Sequence, residues 1–146
     1  MDVTQRFSEI AYPLAVVHSD SETAEVNSAY VFAGNYHRFA IVVDVGDMAS
    51  NATFDVQVEQ ATDDSGTSLK DVSGKALTQL TQASGDGNDI FVIELKGEEM
   101  DQDNGFDYFR VEFTPATAAV EFSAVIYGLV PRYSPVPTTN WEERVD

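Results

Sequence analysis

His18 and His37 are the only histidines in the chain, and they are the first residues to test for general-base chemistry. A catalytic histidine needs a nucleophile or an orienting carboxylate beside it, and the sequence offers no such constellation. His37 stands next to Arg38 at the start of an apolar-alternating stretch, where an ordinary half-exposed strand position accounts for it. There is no nucleophile elbow, phosphate loop, dinucleotide fingerprint or HExxH pattern. The absence of cysteine excludes thiolate nucleophiles, zinc–thiolate sites and disulfides. Carboxylates are so abundant that their pairing does not indicate a glycosidase dyad. One stretch has ligand character: EEMDQDNGFD at 98–107 supplies Asp101, Asp103 and Asn104 as hard oxygen ligands of the kind calcium takes, with Gly105 allowing a sharp turn. Its glycine is fifth rather than sixth from Asp101, so the spacing departs from the helix-loop-helix calcium loop. A solvated acidic loop is the plainer expectation. The reading at this level is a non-enzymatic protein without a cofactor or an assigned metal.

The charge balance narrows the partners. The chain carries 25 Asp and Glu against 8 Lys and Arg, a net charge of −17. Nucleic-acid binding needs clustered cations that displace phosphate counterions, and an anionic membrane surface is disfavoured for the same reason. No apolar run reaches the roughly 18–20 residues needed to span a bilayer, and the first ten residues lack the basic-then-apolar layout of a signal peptide. The expectation is a soluble chain made without Sec-type export. Its 146 residues, 43% of them hydrophobic, suffice for one domain with its own core.

The elements that must position any site read as strands. Phe54, Val56 and Val58 alternate with Asp55, Gln57 and Glu59. Phe109, Val111 and Phe113 alternate with Arg110, Glu112 and Thr114. Val120, Phe122, Ala124 and Ile126 form a third set, and Phe91, Ile93 and Leu95 begin a fourth. A period of two places one face of each strand on a core and the other in water. A strand at about 36–45 differs: Phe39, Ile41, Val43 and Val45 share one face, but Ala40 and Val42 make the other partly apolar too. That pattern fits an interior strand or a subunit contact. Further short strands are expected at 14–17, 23–27, 69–72 and 75–80, with turns at 19–22 and 46–51 and a TDDSGT loop at 62–67. The short connection around Pro115 predicts a hairpin between the strands at 106–114 and 119–128. Together these give an all-β, antiparallel, jelly-roll-like β-sandwich of about seven to nine strands.

Extended arms flank this domain. Residues 1–13 show no sustained period beyond a helical turn near 4–10, and the sandwich is expected over 14–129. Residues 130–146 hold Pro131, Pro135 and Pro137, which fix φ and remove amide donors, so this segment is expected to run extended. Aromatics and arginines carry a disproportionate share of interface energy. Tyr133 and Trp141 are the aromatic anchors of this tail, which is expected to lie across a surface, its own domain's or a neighbour's.

Several phrases resemble the decoration, or cement, proteins of tailed-bacteriophage heads: the strand at 38–45, the strand at 53–60 with its TDDSGT loop, KDVSGKALT at 70–78, the polar loop before 89–95, and SAVIYGLVPRYSP at 123–135. The similarity spans about 17–136. It implies a structural virion protein that binds the outer face of an icosahedral capsid and stabilises it. Contacts to the capsid or between subunits are then expected in the arms, at Arg6, Phe7, Tyr12, Arg132, Tyr133 and Trp141; packing over the chain's own sheet is the rival assignment. The major capsid protein would be its partner, a homotrimer its oligomer, and the host cytoplasm its place of synthesis. The alternatives are a carbohydrate- or surface-binding sandwich, with exposed Tyr108 or Tyr127 as stacking platforms, and a head-completion or tail ring component.

Overall fold

The structure, a computed structural model, describes residues 4–133, 141–143 and 145. Pro135 and Pro137 lie outside the described residues. A four-residue helix, α1 (Phe7–Ile10), leads directly into strand β1 (Ala11–Glu22). Chain order then gives β2 (Val26–Asn27), β3 (Val31–Phe32), β4 (Tyr36–Met48), β5 (Thr53–Ala61), β6 (Lys70–Ala76), β7 (Leu80–Thr81), β8 (Ile90–Lys96), β9 (Tyr108–Ala116) and β10 (Val120–Pro131). The count exceeds the expected seven to nine because β2, β3 and β7 are two-residue strands.

The strands form two antiparallel sheets that pack face to face. The first has the order β1-β10-β4-β8 and the second β2-β9-β5-β6. Strand β3 continues β2 along β9, with Val26 opposite Phe113 and Val31 opposite Phe109. Strand β7 continues β6 along β5 in the same way, with Ala76 opposite Gln57 and Leu80 opposite Phe54. Each sheet therefore has four strand positions, and most connections pass from one sheet to the other, as in a jelly roll.

The expected hairpin between β9 and β10 is not formed. β9 pairs with β5 and β10 pairs with β1 and β4, so the chain crosses between sheets at residues 117–119. Thr117 adopts a left-handed φ of 69° there. The crossing sets Phe113 and Phe122 on opposing sheets with ring centroids 4.9 Å apart, and Phe54 lies 4.8 Å from Phe122. In a hairpin these rings would stand side by side on one sheet and leave the facing layer unfilled. Aromatic contact between the layers contributes about 0.5–1.5 kcal/mol per pair beyond area burial.

The predicted inward sets are buried. Phe39, Ile41, Val43 and Val45 of β4 meet Phe54, Val56 and Val58 of β5 in one continuous core with Phe109, Val111 and Phe113 of β9. Of the predicted turns, 19–22 is part of a strand and 46–51 is narrower than expected, the turn closing with Ala52 N–H on the Ala49 carbonyl. Residues 19–22 remain in β1 as a bulge, with Ser21 at φ 72° and a register shift between Ser19 and Glu22. Strand β4 runs on through Gly46 to Met48. Strand β10 likewise extends past Gly128, pairing Leu129 with Arg38 and Pro131 with Tyr36. Gly128 is needed at that point because a Cβ there would stand 2.8 Å from the Tyr36 ring.

Candidate functional site

Strand β4 is interior to its sheet, between β10 and β8, and its outward residues belong to a wider apolar surface. Register aligns Val16 of β1 with Val125 of β10, Val125 with Val42 of β4, and Val42 with Val92 of β8. Four valines thus cross the entire outer face in one row. Val16 and Val92 are 51% and 56% exposed, and Ile90 beside them is 71% exposed. On a chain of net charge −17, the row is an apolar strip that is exposed at both of its outer strands.

The row leads toward an aromatic cluster of Phe7, Tyr127 and Trp141. The rings of Phe7 and Trp141 lie 6.0 Å apart, and both pack on Tyr127 of β10, at 5.6 and 6.3 Å. The Trp141 indole N–H is shielded from solvent and has no acceptor among the described residues. Phe7 remains 58% exposed because α1 presents it over the sheet rather than into it. Arg6 caps α1, its backbone N–H donating to Glu9 Oε2 at 2.8 Å.

The other contact residues inferred from sequence fall elsewhere. Tyr12 joins the core, tilted against Tyr36 at 5.8 Å, and its hydroxyl donates to the Glu9 carbonyl at 2.8 Å. The rival assignment, packing on the chain's own sheet, describes it. Arg132 follows β10 and donates from Nε to the Tyr36 carbonyl at 3.2 Å. Tyr133 is 70% exposed. Ala11, Tyr12 and Pro13, read as part of an arm, pair with Leu129, Gly128 and Tyr127 inside the first sheet. A groove of about 660 Å³ lies between α1 and the end of β10, lined by Ile10, Tyr12, Leu129 and Pro131, with Arg38 at its rim.

The acidic loop is internally bonded. Asp101 Oδ2 accepts from Lys70 Nζ at 2.6 Å and Oδ1 from Asn104 Nδ2 at 2.7 Å. The Lys70 and Asn104 bonds hold the Asp101 carboxyl below its usual range. The Asn104 amide therefore turns its nitrogen to Asp101, and calcium there would have to displace an ammonium group. Among the described residues no group of three or more carboxylates or imidazoles converges on a metal position.

Sequence reasoning missed the pair Glu59–Arg110, placed opposite each other on β5 and β9. Glu59 is buried, and Arg110 Nε donates to its Oε2 at 2.7 Å. Burial works against the Arg110 charge, but the Glu59 carboxylate outweighs it and raises the guanidinium pKa. The signal available was the opposite charge of two outward positions on strands of equal pattern, which acquires meaning only once the register is known. The two tyrosines considered as glycan platforms are both engaged: Tyr127 lies beneath Phe7 and Trp141, and Tyr108 packs on Phe32 at 5.3 Å.

No protein-family model matches the sequence, and no curated protein matches it. Several solved structures resemble the fold, two of them as follows. A chain of the Cowpea mosaic virus empty virus-like particle aligns with a TM-score of 0.51 at 9% identity, over 92% of this chain and 90% of that one. A chain of Broad bean stain virus aligns with a TM-score of 0.50 at 8% identity, over 93% of this chain and 98% of that one. At these identities the likeness is one of fold: the chain is a jelly-roll sandwich of the kind found in these viral particles.

Proposed function

We propose that the chain is a structural virion protein of the decoration, or cement, class. It binds the outer surface of an icosahedral bacteriophage capsid as a homotrimer, with the major capsid protein as its partner, and reinforces the shell after synthesis in the host cytoplasm. The observation that carries this reading is the row Val16–Val125–Val42–Val92 across the outer face of the first sheet. It is an adhesive strip on a protein whose −17 charge keeps the rest of its surface apart from the packaged genome. The segments at 1–13 and 130–146 extend that contact through Phe7 and Trp141. Many identical copies on one particle multiply a modest contact energy without new chemistry.

The test is cosedimentation with undecorated shells of the phage that encodes the protein. Saturable binding of wild type, weakened at least tenfold in the Val16→Lys, Val92→Lys double variant, supports the proposal. Absence of wild-type binding overturns the function, and unchanged binding of the variant overturns the surface. A second reading, a subunit of the shell itself, is favoured by the near full-length overlap with chains of viral particles. Particles assembled from the purified chain alone would establish it over the first.

A further inference from the structure

The eight Lys and Arg residues of the chain are unevenly used. Lys70 pairs with Asp101, Lys75 with Glu99 and Arg110 with Glu59. Arg38, Lys96 and Arg132, by contrast, make no salt bridge among the described residues, and all three line one pocket of about 220 Å³ together with His37 and Glu98. Three of the eight cations therefore share one small space in which Glu98 is the single lining carboxylate and forms no salt bridge with them among the described residues. Glu99, on which the Lys96 charge also acts, is paired with Lys75.

The backbone holds them there at a cost. Arg38 stands directly opposite Lys96 on the β4–β8 ladder, an arrangement in which like charges destabilise a sheet. Arg132 is fixed by its Nε bond to the Tyr36 carbonyl and by its backbone N–H on the Asn35 carbonyl at 2.9 Å. Its guanidinium lies over Gly97, where a Cβ would sit 2.9 Å from Nη2. Its remaining donors are therefore presented rather than free to sweep, which lowers the entropy lost on binding. Arg38 also lines the groove of Tyr12, Leu129 and Pro131, whose α1 side carries Gln5 and Glu9, so the cationic pocket and the groove adjoin.

We propose that this pocket is a carboxylate receptor for an acidic, apolar peptide segment of a partner protein. The carboxylate sits among Arg38, Lys96 and Arg132, and a neighbouring apolar side chain lies in the groove. Charge complementarity selects the occupant. A planar carboxylate matches the fork of an arginine, and the pocket volume suits one such group rather than a nucleotide. Phosphate, which an arginine fork also accepts, lacks the apolar side chain that the adjoining groove would hold. The proposal is independent of which surface the virion role uses.

Calorimetric titration with an acetylated, amidated heptapeptide alternating leucine and aspartate tests it, at about 0.15 M salt where the long-range charge is screened beyond roughly 8 Å. Saturable binding is expected, weakened at least tenfold both by the Arg38→Gln, Lys96→Gln double variant and by replacing the peptide's aspartates with asparagine. Both substituted side chains are exposed, and an unchanged melting temperature checks that the variant is folded. No binding at millimolar peptide overturns the proposal, as does equal affinity of wild type and variant. Inorganic phosphate binding as tightly as the peptide also overturns it, by assigning the pocket to phosphate.

Discussion

Phe7 of the N-terminal helix and Trp141 near the other end of the chain are in edge contact, with ring centroids 6.0 Å apart over Tyr127. Phe7 and Trp141 are thereby held together on the outer face of the first sheet, beside its row of valines. Trp141 is the single tryptophan, so its fluorescence reports on this contact alone. Phe7→Ala is expected to shift the emission maximum to the red, toward that of hydrated indole. It should lower stability by about 0.5–1.5 kcal/mol, the size of an aromatic pair contact. An unshifted spectrum would show that Trp141 does not depend on Phe7 for its shielding.

Phe122 sits between Phe54 and Phe113 at 4.8 and 4.9 Å, at the point where the sheets face each other. Phe122→Ala is expected to cost about 3–5 kcal/mol, the lost transfer energy plus a cavity that flanking strands cannot close. Urea denaturation measures it, and a loss under about 1 kcal/mol would contradict this packing.

Glu59 and Arg110 form a largely buried ion pair at 2.7 Å. Arg110→Ala leaves Glu59 desolvated without its donor and should cost about 2 kcal/mol. The double variant Glu59→Leu, Arg110→Met removes both charges and should lie near wild type, because desolvation of a pair offsets much of its attraction. A double variant as unstable as the single one would mean that packing, not charge, sets the loss.

Burial, and then the nearby Glu59 and Glu25 carboxylates, push the Glu112 carboxyl above the ordinary glutamate pKa of 4.5. A folded pKa above the unfolded one means a stabilising contribution present below about pH 4.5 and lost as pH rises through the folded value. Glu112→Gln removes that loss. Its advantage in melting temperature over wild type should be small near pH 4 and larger near pH 7, equivalent to about 0.5 kcal/mol for relief of like-charge repulsion. An advantage independent of pH would discount the electrostatic cause.

Asp63 and Asp101 run the other way. Asp63 Oδ1 accepts from the Ser65 and Thr67 backbone N–H groups at 3.0 and 2.9 Å. Hydrogen bonds from Thr67 hold its carboxyl below 3.8, as Lys70 does for Asp101. Their stabilisation is present above their unfolded pKa and lost as pH falls through the lower folded values. Asp63→Asn should therefore reduce the steepness of acid unfolding in a circular-dichroism titration below about pH 4, and an identical acid limb would refute the role.

Much of this protein was determined by its sequence alone. Alternation at Phe54–Val56–Val58, at Phe109–Val111–Phe113 and at Val120–Phe122–Ala124 specifies which side of each strand meets the core, because side chains on a strand must point to opposite faces. The double apolarity of β4 at Ala40 and Val42 fitted an interior strand or a subunit contact, and β4 is interior to its sheet. What alternation leaves open is which sheet a strand joins. The local residues around Pro115 suit a hairpin, yet Phe113 and Phe122 fill the space between layers only if the chain crosses there. Tyr12 shows the same limit: as an aromatic near an end it reads as an anchor, but Gly128 opens room for Tyr36, against which Tyr12 packs in the core. The valine row, the Glu59–Arg110 pair and the juxtaposition of Arg38 with Lys96 all depend on register between strands distant in the chain. Register is decided by how the two layers interlock, and only the tertiary structure carries that information.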